Sequence, residues 1–235
     1  GKGPRIAEPD CDLEGAVNSV LVGFCLTQGQ VCCASTRLYL HEDIYEEYME
    51  SLLDRVGKLK IGDPMNQETQ FGALMNPQQL EKVERYVEEA KQDGAKVLVG
   101  GERVTEEPCD KGWFYRPTVM EVEDNKMACV QEEIFGPVLA VIRYRDLDDA
   151  IRMANDSPFG LGAAIWSNNP KTLFKAGRAL DAGTVWMNTN VISTMEAPFG
   201  GNKNSGIGRE YGAMGIREYL KVTTQILHPA AEFLK

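Results

Sequence analysis

Among the 235 residues are six cysteines, two of them adjacent in the segment Thr27-Gln28-Gly29-Gln30-Val31-Cys32-Cys33-Ala34. A thiolate is both a strong nucleophile and a good leaving group, and Gly29 allows a turn whose backbone N–H groups can face a developing oxyanion. The segment falls between a helix that should end near Leu26 and a strand that should begin near Arg37, an element end where a nucleophile can be presented. A cysteine pair at the start of a strand is equally the makeup of a buried core, so spacing alone leaves both readings open. The remaining cysteines, Cys11, Cys25, Cys109 and Cys129, form no Cys-x-x-Cys pair, and the two histidines, His41 and His228, are far apart. A zinc site is therefore not expected, and a reduced, cytoplasm-like compartment is the better expectation than a disulfide framework.

The elements that must carry this turn alternate. Asp12 can cap a helix reaching about Leu26, with Leu13, Val17, Val20 and Phe24 on one face. A strand over Arg37–Leu40 precedes a helix from about Asp43 with Ile44, Tyr48, Leu52 and Val56 at i, i+4 spacing. The clearest helix runs from Pro77 to Asp93: Asn76 is an N-cap residue, Pro77 sits at the first position, and Gly94 can take the left-handed stop. Strands follow at Lys96–Val99, Thr118–Val122, Val138–Tyr144, Gly162–Trp166 and Gly183–Asn188, with helices at Leu147–Asn155 and Pro170–Ala179. This rhythm predicts an α/β fold, a mostly parallel open sheet with helices on both faces. Beyond a Gly-rich stretch at Gly200–Gly208 come a helix near Arg209–Tyr219 and an alternating run, Val222–Leu227, expected to pair with another sheet edge as an oligomerisation strand. Residues 1–204 and 205–235 are accordingly read as a thiol-bearing domain and a C-terminal helix, strand and tail.

A net charge of -10 without a basic cluster excludes a nucleic-acid partner, and no apolar run reaches the roughly 18 residues of a membrane span.

Gly29-Gln30-Val31-Cys32 resembles the active-site cysteine signature of the aldehyde dehydrogenase superfamily. Three further segments agree in order: Glu132-Glu133-Ile134-Phe135-Gly136-Pro137-Val138, Asp156-Ser157-Pro158-Phe159-Gly160-Leu161 and Pro198-Phe199-Gly200-Gly201-Asn202-Lys203-Asn204-Ser205-Gly206. The resemblance implies NAD(P)-dependent oxidation of a small-molecule aldehyde to an acid through a thiohemiacetal and a thioester on Cys32. It implies that Glu133 holds the nicotinamide ribose hydroxyls, that Phe135 packs beside the nicotinamide, and that Gln79 and Lys82 lie near the other cofactor ribose. Phe199, Ser193, Val191 and Cys33 are implied to line the substrate pocket, and the assembly is expected to be a homodimer or homotetramer.

Two departures from the pattern matter. Ile192-Ser193-Thr194 is similar to semialdehyde dehydrogenases, yet the arginine those carry six residues before the nucleophile is Leu26 here, so a cationic anchor for an acid substrate is not expected on that side. Cys25 replaces the usual aromatic or aliphatic residue and could form an inhibitory disulfide. Gly1-Lys2-Gly3-Pro4 is similar to the end of the family's general-base motif, which places that glutamate, the oxyanion asparagine and the main NAD or NADP domain upstream of Gly1. On that basis the chain alone is expected to be slow or inactive. A non-catalytic binding or assembly subunit, and an acylating relative without the hydrolytic glutamate, are the alternatives.

Overall fold

The computed structural model describes residues 1–227. In chain order it forms β1 (Gly3–Ala7), α1 (Leu13–Cys25), β2 (Ser35–His41), α2 (Tyr45–Gly57), α3 (Pro77–Gln92), β3 (Lys96–Val99), β4 (Thr118–Glu121), α4 (Ala128–Gln131), β5 (Val138–Tyr144) and α5 (Leu147–Asn155). There follow β6 (Phe159–Gly160), β7 (Gly162–Trp166), α6 (Pro170–Ala179), β8 (Thr184–Met187), β9 (Asn202–Lys203) and α7 (Gly212–Arg217).

Seven strands make one sheet in the order β3-β4-β5-β2-β1-β7-β8, and the short β6 and β9 pair antiparallel by themselves. All neighbours in the large sheet are parallel except β3 with β4. Helical crossovers cover both faces of such a sheet, so its strands read as continuous apolar runs. Alternate residues of those runs go to opposite faces. Leu38, Leu40, Leu139 and Val141 join Val17, Val20 and Phe24 of α1 and Tyr48 and Leu52 of α2. Tyr39, Val138, Ala140 and Ile142 join Leu80, Val83 and Val87 of α3 and Ala150 and Ile151 of α5.

Caps and stops define the ends of the helices. Asn76 accepts a hydrogen bond from the Gln79 N–H at 2.8 Å, a contact typically worth about 1 kcal/mol, and Gly94 closes α3 at φ 97°. Asp12 caps α1 through the Gly15 N–H, Asp146 caps α5 through those of Asp148 and Asp149, and Asn169 caps α6 through that of Lys171. These three helix starts lie at the carboxyl edge of the sheet, where β1, β5 and β7 end.

Val222–Leu227, expected as an oligomerisation strand, is exposed and pairs with no strand among the described residues, which leaves its backbone groups open to an edge outside this subunit. One expectation is corrected. The helix near Arg209–Tyr219 is confined to Gly212–Arg217, since Tyr211 and Gly212 take φ of 61° and 56° and delay its start. The tail 228–235, part of the expected C-terminal unit, lies outside the described residues, as does His228. β1 and α4 were not foreseen: Pro4 and Arg5 interrupt the apolar alternation of the first, and the second is only 4 residues long.

Candidate active site

Among the described residues Cys32 is the one exposed thiol; Cys11 and Cys25 are half-buried, and Cys33, Cys109 and Cys129 are buried. Burial pushes the Cys25, Cys33, Cys109 and Cys129 thiols up, and Cys32 beside it raises Cys33 further. Burial and the neighbouring Asp10 carboxylate move Cys11 up to about 11. A thiol held in its neutral form is a poor nucleophile.

The exposure of Cys32 follows from the turn that carries it. After α1 the backbone enters the left-handed region for three residues, Thr27, Gln28 and Gly29, at φ of 50°, 57° and 71°. Non-glycine residues held there cost about 1–3 kcal/mol each and persist only when the surroundings dictate the shape. Two contacts do so. The Gln30 side chain donates to the Thr27 carbonyl and accepts from the Met75 N–H at 2.9 Å. Gly29 lies against Gly136 so closely that a Cβ on it would be 2.3 Å from the Gly136 carbonyl oxygen.

That second contact joins two of the motifs singled out in the sequence. Glu133 to Pro137 leads into β5 as the thiol turn leads into β2, and both loops sit at the amino edge of the sheet. Phe135 is held at φ 60°. Gln79 donates to the carbonyls of Ile134 and Phe135 at 2.9 and 2.8 Å, and the Lys82 ammonium donates to the Glu133 carbonyl at 2.8 Å. Both helix residues therefore meet the main chain of this loop. The Glu133 carboxylate, its side chain 35% exposed, receives the Gly1 amino group. Its neighbour Glu132 accepts from the Tyr86 hydroxyl.

On the opposite side of Cys32, Cys33 and Trp186 form a small apolar cluster against which Val31, Leu161, Val191 and Phe199 pack. Cys32 and Phe199 share a cleft of about 960 Å³ with Leu161, Met195, Glu210 and Tyr219. Cys33 and Val191 form the wall behind the cleft, whereas Ser193 stands exposed on the loop outside it. The loop starts at Asn188, whose side chain pairs with both main-chain groups of Ser167, as a turn residue should. The Trp186 indole N–H ties the loop back at the Ile192 carbonyl, 2.7 Å away.

Sequence reasoning missed Glu210, a carboxylate at the cleft whose backbone exchanges two hydrogen bonds with Phe199. The Gly-rich run before it was the available signal. It also missed Lys2, which is 2% exposed and whose ammonium has no hydrogen-bond partner among the described residues; burial brings it down to about 7. No cluster of three or more His, Cys, Asp or Glu suited to a metal occurs among the described residues, and no helix among them is long and apolar enough to cross a membrane.

These features define an open-sheet α/β protein that presents one exposed thiol at the amino edge of its parallel strands, beside a carboxylate-and-aromatic loop. The model of the aldehyde dehydrogenase family matches residues 1–225. An aldehyde dehydrogenase of Enchytraeus buchholzi is 42% identical over 224 residues, 95% of this chain and 44% of that protein. The 4-trimethylaminobutyraldehyde dehydrogenase of Oryzias latipes is 41% identical over 229 residues, 97% of this chain and 45% of that protein. Among solved structures, betaine aldehyde dehydrogenase of Staphylococcus aureus in complex with NAD+ superposes with a TM-score of 0.91 at 39% identity, covering 93% of this chain and 44% of that one. The NAD+ complex of an aldehyde dehydrogenase from Bacillus cereus gives 0.89 at 41%, with coverages of 93% and 44%. The chain belongs to the aldehyde dehydrogenase family, and it spans less than half the length of these relatives.

Proposed function

We propose that this chain supplies the nucleophile and one wall of the cofactor and substrate sites for NAD(P)-dependent oxidation of an aldehyde to a carboxylic acid. The observation that carries this reading is the placement of Cys32: one exposed thiol among buried and half-buried ones, on a strained turn opening into a cleft with Phe199. In this reading the Cys32 sulfur adds to the aldehyde carbon, and the resulting oxyanion is met by the Cys32 backbone N–H, which has no acceptor among the described residues. Phe199 and Leu161 flank the aldehyde's apolar portion, with Cys33 and Val191 packed behind them.

The rim beside the thiol fits a nicotinamide nucleotide. Glu133 offers a partly exposed carboxylate, a double acceptor for a vicinal diol, and Phe135 adds a half-buried ring on the same loop. When bound, the nicotinamide supplies the two-electron acceptor for the hydride of the thiohemiacetal. Gln79 and Lys82 hold the loop that presents both groups. The acyl group left on Cys32 is a thioester, which the good leaving character of sulfur makes ready for hydrolysis.

The test is acylation by p-nitrophenyl acetate, which needs no nucleotide. Mass mapping should find one acetyl group on the Cys32 peptide, absent in Cys32→Ala. Acetylation spread over several residues, or unchanged in the variant, would remove the assignment.

A further inference from the structure

Arg5 lies in β1, an interior strand of the sheet, and is 0% exposed, yet no carboxylate among the described residues meets it. Its guanidinium donates to the Pro4 carbonyl at 2.9 Å, the Ser35 hydroxyl at 2.8 Å, the Cys33 carbonyl at 3.2 Å and the Asn190 side-chain oxygen. It also sits 5.4 Å from the centre of the Trp186 ring. Burial brings it down to about 9, so it stays charged at neutral pH. A buried charge satisfied only by neutral acceptors is costly compared with an apolar residue of like size. What a planar fork of five donors provides, and an apolar side chain does not, is several fixed directions at once.

Those directions connect separate parts of the site. The Cys33 carbonyl belongs to the residue that follows the nucleophile. Asn190 belongs to the loop that carries Val191 and Ser193, and it donates in turn to the Ser35 hydroxyl at 2.8 Å and the Ser19 carbonyl at 3.1 Å. Trp186, under the guanidinium, holds the same loop at Ile192. One side chain thus touches the thiol turn, the first residue of β2 and both anchors of the pocket loop.

We propose that Arg5 is a positioning residue that locks the Cys32–Cys33 turn to the loop from Asn190 to Ser193, fixing the distance between the nucleophile and the pocket wall. The bridge rests on the reading of Cys32 as nucleophile only for its catalytic consequence; the mechanical link stands on the contacts themselves. A lysine at position 5 keeps the charge, but its single ammonium cannot reach all four acceptors. Asn190→Asp keeps the oxygen that Arg5 needs but loses the donors to Ser19 and Ser35, whereas Asn190→Ala removes all three contacts.

The experiment compares the 235-residue chain with Arg5→Lys, Asn190→Ala, Asn190→Asp and the Arg5→Lys/Asn190→Ala double variant. Amide hydrogen exchange over residues 32–34 and 188–195 reads the link without any activity. Acylation of Cys32 by p-nitrophenyl acetate gives the half-saturating concentration and the maximal rate separately. Expected are faster exchange in both segments together for Arg5→Lys and Asn190→Ala, and a half-saturating concentration raised about tenfold with a smaller fall in maximal rate. Asn190→Asp, which keeps the acceptor for Arg5 but not the donors to Ser19 and Ser35, should fall between wild type and Asn190→Ala in both readouts, and the double variant should be no worse than the worse single one, since residues in one network do not act additively. Exchange that rises in only one segment, or additive effects in the double variant, would overturn the link. Wild-type chain that shows the coupled exchange but no acylation of Cys32 would instead sink the catalytic reading and leave the link standing.

Discussion

Gly29 and Gly136 touch backbone to backbone: a Cβ on Gly29 would fall 2.3 Å from the carbonyl oxygen of Gly136. Behind them Val83 of α3 closes on Gly136, where an added Cβ would meet its Cγ2 at 2.4 Å. The thiol turn, the Glu133–Pro137 loop and α3 are therefore stacked as three layers with no room for a methyl group between them.

Gly29→Ala should consequently do two kinds of harm. At φ 71° the new side chain is strained, and the clash is with backbone that cannot rotate away. A loss of about 1–3 kcal/mol is expected from such a position, read as a lowered urea midpoint. Labelling of Cys32 should slow as the turn is displaced. Unchanged stability would show that the two loops separate at little cost.

The six thiols should react in order of exposure. With substoichiometric iodoacetamide, Cys32 should be alkylated at least about tenfold faster than Cys33, Cys109 or Cys129, because burial keeps those three in their neutral forms. Peptide mass mapping measures the order. Cys33 reacting ahead of Cys32 would reassign the nucleophile. The disulfide considered for Cys25 should also be slow to form, since its thiol is half-buried and pushed up by burial.

Gln79→Ala tests the support of the Glu133–Pro137 loop. It removes two hydrogen bonds to the Ile134 and Phe135 carbonyls, each worth about 0.5–1.5 kcal/mol net. The expected outcome is a modest loss of global stability with hydrogen exchange raised selectively over residues 133–137. Exchange raised equally throughout α3 would mean that the side chain serves the helix and not the loop.

Lys2 makes stability depend on pH. Its folded-state value of about 7 lies below the usual lysine value near 10.4, so above about pH 7 the unfolded chain holds a proton that the folded chain lacks. Stability should therefore rise between about pH 7 and about pH 8.5, before the buried thiols, whose values are raised, begin to pull it down. Lys2→Met should be more stable near pH 7 and should flatten this rise, as followed by urea denaturation across that window. A rise of equal slope in the variant would place its origin elsewhere.

The legible parts of this molecule were those written in local chemistry. Asn76, Pro77 and Gly94 delimit α3 to within a residue of its observed end because cap, first position and stop are each decided by one or two neighbours. β5 matched its expected bounds because a run of five apolar residues is buried on both faces. The bridge from Arg5 to Asn190 was illegible because it joins positions 185 residues apart, and nothing near either residue signals a partner. Likewise Gln79 and Lys82 could be placed on one helix face from spacing, but not the main-chain carbonyls they would meet. For Val222–Leu227 the alternation states a capacity to pair, and pairing depends on what lies alongside, which no local pattern specifies.

The caps of α1, α5 and α6 bear on a region remote from Cys32. In most open parallel sheets the carboxyl edge is the docking side, where exposed N–H groups at helix starts receive phosphates. Here Asp12, Asp146 and Asn169 each accept from one or two N–H groups of their own helix start, and two of the three caps are acids that would repel an anion. The carboxyl edge of this sheet is therefore a poor berth for a phosphate, and the exposed chemistry of the chain lies on the opposite rim with Cys32.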